Sequence, residues 1–190
     1  MEQLYLLGGC DVQELAGLSS GWALREVGLS RVRRLNDLLP LSFLAGPRKL
    51  NITNCEHLSN IDSVGRWADS LEYLSVWNCG TVDIGPVAAL GRLVELVLGH
   101  TTVFDLRPLA GLPLLERLTI SSARDARTLA PIAGLPSLRE ISFTEGSPVN
   151  LAAFAGRRGL RVAVEGRLTK VIGAELLGEG SVVVTATTDR

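Results

Sequence analysis

Hydrophobic positions in the middle of the chain recur in one phrase of fixed length. Residues 87–98, 109–120 and 132–143 align residue by residue as apolar-x-x-Leu-x-x-Leu-x-x-apolar-x-apolar, with offsets of 22 and 23 residues. In the strand phrase x-L-x-L-x, which begins three residues before the end of each copy, the two apolar positions alternate with positions expected to be exposed. This period of two is typical of a strand that buries one face, so each copy predicts one short half-buried strand.

The same strand pattern extends outward from these copies in both directions. The paired inward positions are Leu4/Leu6, Val27/Leu29, Leu50/Ile52, Leu74/Val76, Leu96/Leu98, Leu118/Ile120 and Ile141/Phe143. A weaker eighth copy follows at Leu160, Val162 and Val164. We therefore predict a repeat array over residues 1–165, with seven clear repeats and one degraded repeat. We expect one parallel sheet, formed by strands at residues 4–6, 27–29, 50–52, 74–76, 96–98, 118–120 and 141–143.

The segment that returns from one strand to the next also has a readable pattern. In residues 103–112, Asp105 can supply a turn or cap oxygen, and Pro108 suits the start of a short helix or 3₁₀ turn. Three leucines spaced three apart follow, at Leu106, Leu109 and Leu112, and predict one face packed under the strands. Neighbouring repeats place Pro86 and Pro131 at the position of Pro108.

This phrase and its period resemble the leucine-rich-repeat proteins, in the bacterial form with return segments of the type D-x-x-P-L-A-G-L. The array is also similar to those found behind NTPase modules of the STAND or NACHT type. The resemblance implies an α/β leucine-rich-repeat solenoid, a right-handed β-α/3₁₀ superhelix with one parallel sheet on its concave face. It also implies a ladder of Asn or Cys side chains that satisfies buried backbone groups in the bend after each strand. This chain places Cys55, Cys79, Thr101 and Ala123 there, with Val32 and Gly146 further out.

Composition narrows the classes of function. The chain has 190 residues, 46% hydrophobic and 5% aromatic, which indicates one unit packed by aliphatic side chains. A formal net charge of −1 gives no electrostatic reason to expect nucleic acid or an anionic membrane as partner. No apolar run approaches the ~20 residues of a membrane span, and no secretory signal precedes the first repeat, so we expect a cytoplasmic protein.

The two ends of the array differ. Residues 171–177 and 181–185 predict a short helix or turn and a closing strand, so we assign residues 166–190 to a C-terminal cap. The first strand starts near residue 3, which leaves no room for a cap. We therefore expect either an upstream domain over this end or self-association through the first repeat.

Catalytic and metal-binding patterns are lacking. The sequence has no G-x-x-x-x-G-K-[ST], H-E-x-x-H or C-x-x-C motif. His57 and His100 stand apart from the cysteines in the repeat, and Cys55 and Cys79 are best interpreted as buried structural thiols. We predict a protein that is not an enzyme and that needs no cofactor or metal.

A solenoid presents its concave face, formed by the residues on either side of the inward leucines and between them. These residues are mostly small and polar, except for Tyr73 and Trp77 on the fourth strand, beside Val97 on the fifth. Aromatic residues among charged and small ones are typical of binding hot spots, although Trp77 could simply pack against its neighbours. Trp22 and Trp67 belong to return segments and are expected in the core. The candidate partner-binding residues are Asn51, Tyr73, Trp77, Val97 and Arg117.

These observations favour a protein-binding recognition module, the sensor or scaffold part of a larger cytosolic protein. The alternative is a receptor domain for a peptide or glycan at the cell envelope.

Overall fold

Nine parallel strands form the main sheet of the computed structural model, which describes residues 3–8, 24–121, 126–144, 148–165, 170–178 and 181–185. Two further short strands pair separately. In chain order the strands are β1 (Gln3–Leu6), β2 (Glu26–Ser30), β3 (Lys49–Thr53), β4 (Tyr73–Trp77), β5 (Glu95–Leu98), β6 (Arg117–Ile120), β7 (Glu140–Phe143), β8 (Val149–Asn150), β9 (Arg161–Glu165), β10 (Val171–Ile172) and β11 (Val182–Thr185).

The main sheet follows chain order, β1-β2-β3-β4-β5-β6-β7-β9-β11, with β8 and β10 outside it. Its register aligns the repeat positions, so that Leu74, for example, lies between Leu50 of β3 and Leu96 of β5. The seven predicted strands and their parallel pairing are confirmed, and with them the leucine-rich-repeat solenoid.

The last two strands of the main sheet lie where the sequence pattern is weak. The eighth repeat, which its sequence marks as degraded, forms the regular strand β9, paired with β7, and buries Leu160, Val162 and Val164. β11, in the segment assigned to a cap, pairs parallel with β9 and adds a ninth strand. Strand pairing therefore continues past residue 165. The separate pair of β8 and β10 joins the last two return segments.

Return segments are mostly 3₁₀ helices: Leu39–Leu41, Asp62–Trp67, Gly85–Ala89, Arg107–Leu109, Ala152–Phe154 and Ala174–Leu176. The one described α-helix is α1 (Ala126–Ala133), and no helix among the described residues is long and apolar enough to cross a membrane. Pro86 and Pro108 lie in the first turn of their 3₁₀ helices, as expected. Pro131 does not, because its return segment is a longer α-helix that begins five residues earlier and places the proline inside.

An Asp or Asn side chain starts five of these segments in the same way. The predicted case is Asp105, whose Oδ1 accepts a hydrogen bond from the backbone N–H of Arg107 at 2.9 Å. In four other segments the side-chain oxygen also accepts from the backbone N–H two residues later, at 2.7 to 3.0 Å. The accepting residues are Asp37, Asn60, Asp83 and Asn150, and the donors are Leu39, Asp62, Gly85 and Ala152. Each side chain holds a tight turn, which directs the chain from the bend into the return segment.

The core lies between the sheet and the return segments and is almost wholly aliphatic. Leu74, Leu96 and Leu118 are each at most 1% exposed, and burial of such a side chain is worth roughly 1.5–3 kcal/mol. Trp67 is also buried in this layer, as predicted, and its indole N–H donates to the carbonyl of Leu44 at 3.2 Å. Trp22 lies outside the described residues.

The predicted ladder in the bends is present at Cys55, Cys79 and Thr101, whereas the apolar Val32 occupies the position of the second bend. The Thr101 hydroxyl donates toward the carbonyls of Val76 and Gly99 at 3.1 Å and accepts from the backbone N–H of Cys79 at 3.2 Å. The Cys79 thiol in turn lies 3.5 Å from the carbonyl of Trp77. These contacts pair buried backbone groups of adjacent repeats that would otherwise be left unsatisfied. Ala123 and Gly146 lie outside the described residues.

Arg157 connects two neighbouring repeats near the C-terminal end of the array. Its guanidinium donates to the carbonyls of Ala133, Leu135 and Leu138, the last at 2.9 Å. These carbonyls belong to the end of α1 and the turn that follows, where a helix leaves acceptors without partners. The guanidinium therefore satisfies acceptors of one repeat from the next.

Among the described strands, β1 lies at one edge of the sheet and pairs with β2 alone. Its inward residues Leu4 and Leu6 are half-buried, whereas those of β2 to β7 are buried. Leu7, beyond its end, is 67% exposed. An upstream domain or self-association at this end stays a prediction.

We predict that Cys79 makes the fold less stable at alkaline pH. Burial raises the pKa of its thiol from about 9 to about 11. Between these values the unfolded chain loses the proton while the native chain keeps it, so the free energy of unfolding should fall as pH rises from 9 to 11 and should not change through this group below 9. Urea unfolding of the wild type and Cys79→Ser measures the effect, because serine does not titrate in this range. A stability difference between the two proteins that stays constant up to pH 11 would contradict the prediction.

Candidate functional site on the concave face

The concave face is the surface of the main sheet turned away from the core. Its middle row, the residues between the inward positions of each strand, contains Asn51, Ser75, Val97, Thr119 and Ser142, aligned by the strand register. Ser75 is 6% exposed and the other four are half-buried. The face is therefore lined by short side chains, with little to obstruct a partner.

Four of the five predicted residues surround Ser75. Tyr73 and Trp77 lie two positions to either side of it on β4, so their side chains are on the same face of the sheet. Asn51 and Val97 are its register partners on β3 and β5. The structure thus brings together two aromatic rings, one amide and one aliphatic side chain over a small buried serine.

Arg117, the fifth residue, lies at the margin of this cluster. The register places Glu95 between Tyr73 and Arg117. The guanidinium of Arg117 donates to Oε2 of Glu95 at 2.7 and 2.9 Å, and this pairing raises the pKa of Arg117. Because its charge is already paired with Glu95, Arg117 would attract a charged partner more weakly than an unpaired cation would.

Trp77 is held in place by its neighbours in the next repeat. A Cβ atom built on Gly99 would overlap the ring carbons of Trp77, so the indole lies directly over the bare backbone of that glycine. The ring also meets His100 edge-on, with centroids 5.0 Å apart and planes at 66°. Trp77 remains half-buried. It therefore packs against its own sheet and still presents part of its ring to solvent.

Gly99 and His100 are residues that sequence reasoning did not assign to the site. A signal was present, because Gly99 replaces a larger residue at the repeat position of Trp77. The same device occurs near the edge of the sheet, where the ring of Tyr5 lies over Gly28 and its hydroxyl donates to Glu26 at 2.6 Å. An aromatic residue one repeat before a glycine is thus the pattern to search for.

Within the described ranges, no group of three or more His, Cys, Asp and Glu side chains is placed to hold a metal ion. The thiols of Cys55 and Cys79 are buried, and burial raises the pKa of both. A depression of about 170 Å³ beside His100 is lined mainly by Thr and aliphatic side chains, including Thr102, Val103 and Thr128.

The fold of the chain is similar to that of solved structures. No protein-family model matches the chain, and no curated protein matches it in sequence. Internalin C2 of Listeria monocytogenes has a similar structure, with a TM-score of 0.73 and 21% identity over 97% of this chain and 80% of the other. An internalin of the same organism, inlF, matches with a TM-score of 0.55 and 18% identity over 99% of this chain and 67% of the other. The chain has the leucine-rich-repeat fold. At these identities the likeness concerns the fold of the array and not its ligand.

We predict that a methyl group at Gly99 displaces the indole from its seat. Gly99→Ala should destabilise the array by about 1–3 kcal/mol through overpacking and should change the near-ultraviolet circular dichroism of tryptophan. Gly91→Ala is the matched control, because nothing lies near its added Cβ, and its effect should stay within about 0.5 kcal/mol. An unchanged spectrum for Gly99→Ala would show that Trp77 does not depend on this seat.

Proposed function

We propose that the array is a protein-recognition module and that its partner binds the concave face over Ser75. The observation that carries this proposal is the half-buried indole of Trp77, seated over Gly99 and grouped with Tyr73 and Val97. Aromatic side chains that are held in place and partly accessible are typical of interface hot spots. The surrounding face of small polar side chains would exclude water around such a contact.

Rigidity of the sheet supports the same proposal. All strands that bear the cluster have a hydrogen-bonded neighbour on both sides, and the seat over Gly99 limits the positions open to the indole. A partner would therefore bind a surface that is already ordered, and little conformational entropy would be lost on the side of the array. Binding, rather than catalysis, is the role that this arrangement favours, and we propose that the protein is not an enzyme.

We predict that Trp77→Ala weakens binding by about 2 kcal/mol or more, the range of an aromatic hot spot. A random-peptide library displayed on phage, selected against the immobilised chain, supplies the probe, and the affinity of a selected synthetic peptide is then measured by fluorescence anisotropy. Phe104→Ala is the matched control, because Phe104 is an aromatic residue 82% exposed outside the strands, and it should leave the affinity unchanged.

Stability measurements separate recognition from packing in the same experiment. Leu74→Ala removes a fully buried side chain from the other face of β4 and should cost about 2–5 kcal/mol of folding free energy. Trp77→Ala should cost less, since part of its ring is already in water. If Trp77→Ala binds the selected peptides as the wild type does, the concave cluster is not the binding surface.

We also propose that the array is the sensor or scaffold part of a larger cytosolic protein. The bacterial form of its return segments supports this proposal, as does the half-buried edge strand β1, which an adjoining domain would cover. Immunoblotting of fractionated cells tests it. A band well above 20.3 kDa in the cytosolic fraction is expected, and a band at the cell envelope would favour the peptide or glycan receptor instead.

A further inference from the structure

Three arginines stand together at the edge of the concave face where β2 and β3 end. Arg31, Arg33 and Arg34 are exposed and line a depression of about 530 Å³, together with Val32, Asn54, Glu56, His57 and Asn78. We call this surface the arginine rim. In the part of the chain that the structure describes, none of the three guanidiniums forms an ion pair, and Glu56 is the one carboxylate that lines the depression. The rim is therefore locally basic on a chain whose formal net charge is −1.

Two of these arginines have a backbone conformation that does not suit them. Arg31 and Arg34 have φ angles of 53° and 59°, in the left-handed region. The position of Arg31 is occupied by Asn54 and Asn78 in the next two repeats, with φ angles of 57° and 50°. Asparagine tolerates this conformation better than arginine does, so the fold alone would favour asparagine at position 31. Backbone strain of this kind is concentrated at functional sites.

The arginine rim is continuous with the candidate binding cluster. Asn78 directly follows Trp77, and its Nδ2 donates to Oδ1 of Asn54 at 2.7 Å across the two repeats. Both asparagines line the depression beside the arginines. A polypeptide that covers Trp77 could therefore extend over these amides and reach the rim.

We propose that the arginine rim docks an acidic stretch of the protein that binds the concave cluster, an inference that rests on the proposed function. Guanidinium groups form paired hydrogen bonds with carboxylates, and three of them together fit a run of Asp or Glu side chains. A nucleic acid is the poorer fit, since its charge continues along its whole length and would run onto Glu95, the register partner of Tyr73 on the concave face. A polypeptide can place its carboxylates at one end only.

The test uses a fluorescent peptide of about twelve alternating Glu and Asp residues, which lacks any aromatic anchor, and fluorescence anisotropy at about 50 and 300 mM salt. The peptide should bind the full chain, and more weakly at the higher salt concentration. The variant Arg31→Asn/Arg33→Gln/Arg34→Asn should weaken binding on the order of tenfold or more. Its melting temperature should equal or exceed that of the wild type, because asparagine relieves the strain at two positions.

A matched triple variant removes the same charge elsewhere. Arg66→Gln/Arg92→Gln/Arg158→Gln replaces three exposed arginines outside the rim and should leave the affinity within about twofold. Equal losses in both triple variants would overturn the proposal, as would the absence of peptide binding or a lower melting temperature in the rim variant. A twelve-nucleotide oligothymidylate that binds as tightly as the peptide would also overturn it, in favour of a nucleic acid.

Trp77→Ala distinguishes this proposal from the binding function on which it rests. The variant should bind the acidic peptide as the wild type does, because that peptide has no group for the concave cluster. A loss of binding would place the peptide on the cluster instead of the rim and would overturn the inference. Peptides selected from the random library that depend on Trp77 but not on the arginines would leave the recognition function intact and refute the rim alone.

Discussion

Each strand of this sheet depends on the strands beside it for both hydrogen bonding and burial. The inward pair of one repeat, such as Leu50 and Ile52, is fully buried because equivalent residues lie in register on either side. One such repeat alone could not cover its apolar face, and the array gains stability from contacts between neighbours. Strict register is the constraint from which the other features follow, since a slip of one residue would turn every leucine toward solvent.

Side chains outside the sheet that recur once per repeat give the turns the same structure from one repeat to the next. The Asp and Asn residues that start the return segments and the Cys and Thr residues of the bends each pair backbone groups, and each repeats at the period of the strands. Each such hydrogen bond contributes about 0.5–1.5 kcal/mol to stability. The free energy lost when a buried donor or acceptor is left without a partner is larger. Arg157 performs the same task over a longer distance, from one repeat to the carbonyls of the previous one.

The repeats differ from one another at positions that the core does not constrain. On the concave face a glycine in one repeat makes room for an aromatic ring from the repeat before it, as for Trp77 over Gly99 and Tyr5 over Gly28. In the bends the left-handed position accepts Asn54 and Asn78 readily, yet it carries Arg31 and His100 elsewhere. Substitutions of this kind alter the surface without disturbing register, so a uniform scaffold can acquire a specific ligand.

The sequence by itself determined the strands, their parallel order and the inward residues, because a period of 22 to 23 residues combined with alternation leaves few other ways to bury the leucines. It also identified Tyr73, Trp77 and Val97 as neighbours, since register follows from the repeat. It could not show that Arg117 is paired with Glu95, that Trp77 rests on Gly99, or that β9 and β11 complete the sheet despite a weakened pattern. The first two features depend on contacts between side chains and backbone of different repeats. The third arises because the edge of a sheet offers hydrogen-bonding groups to the next segment whatever the sequence of that segment. Only the tertiary structure decides them, because the pattern specifies which way a residue points and not what it meets there.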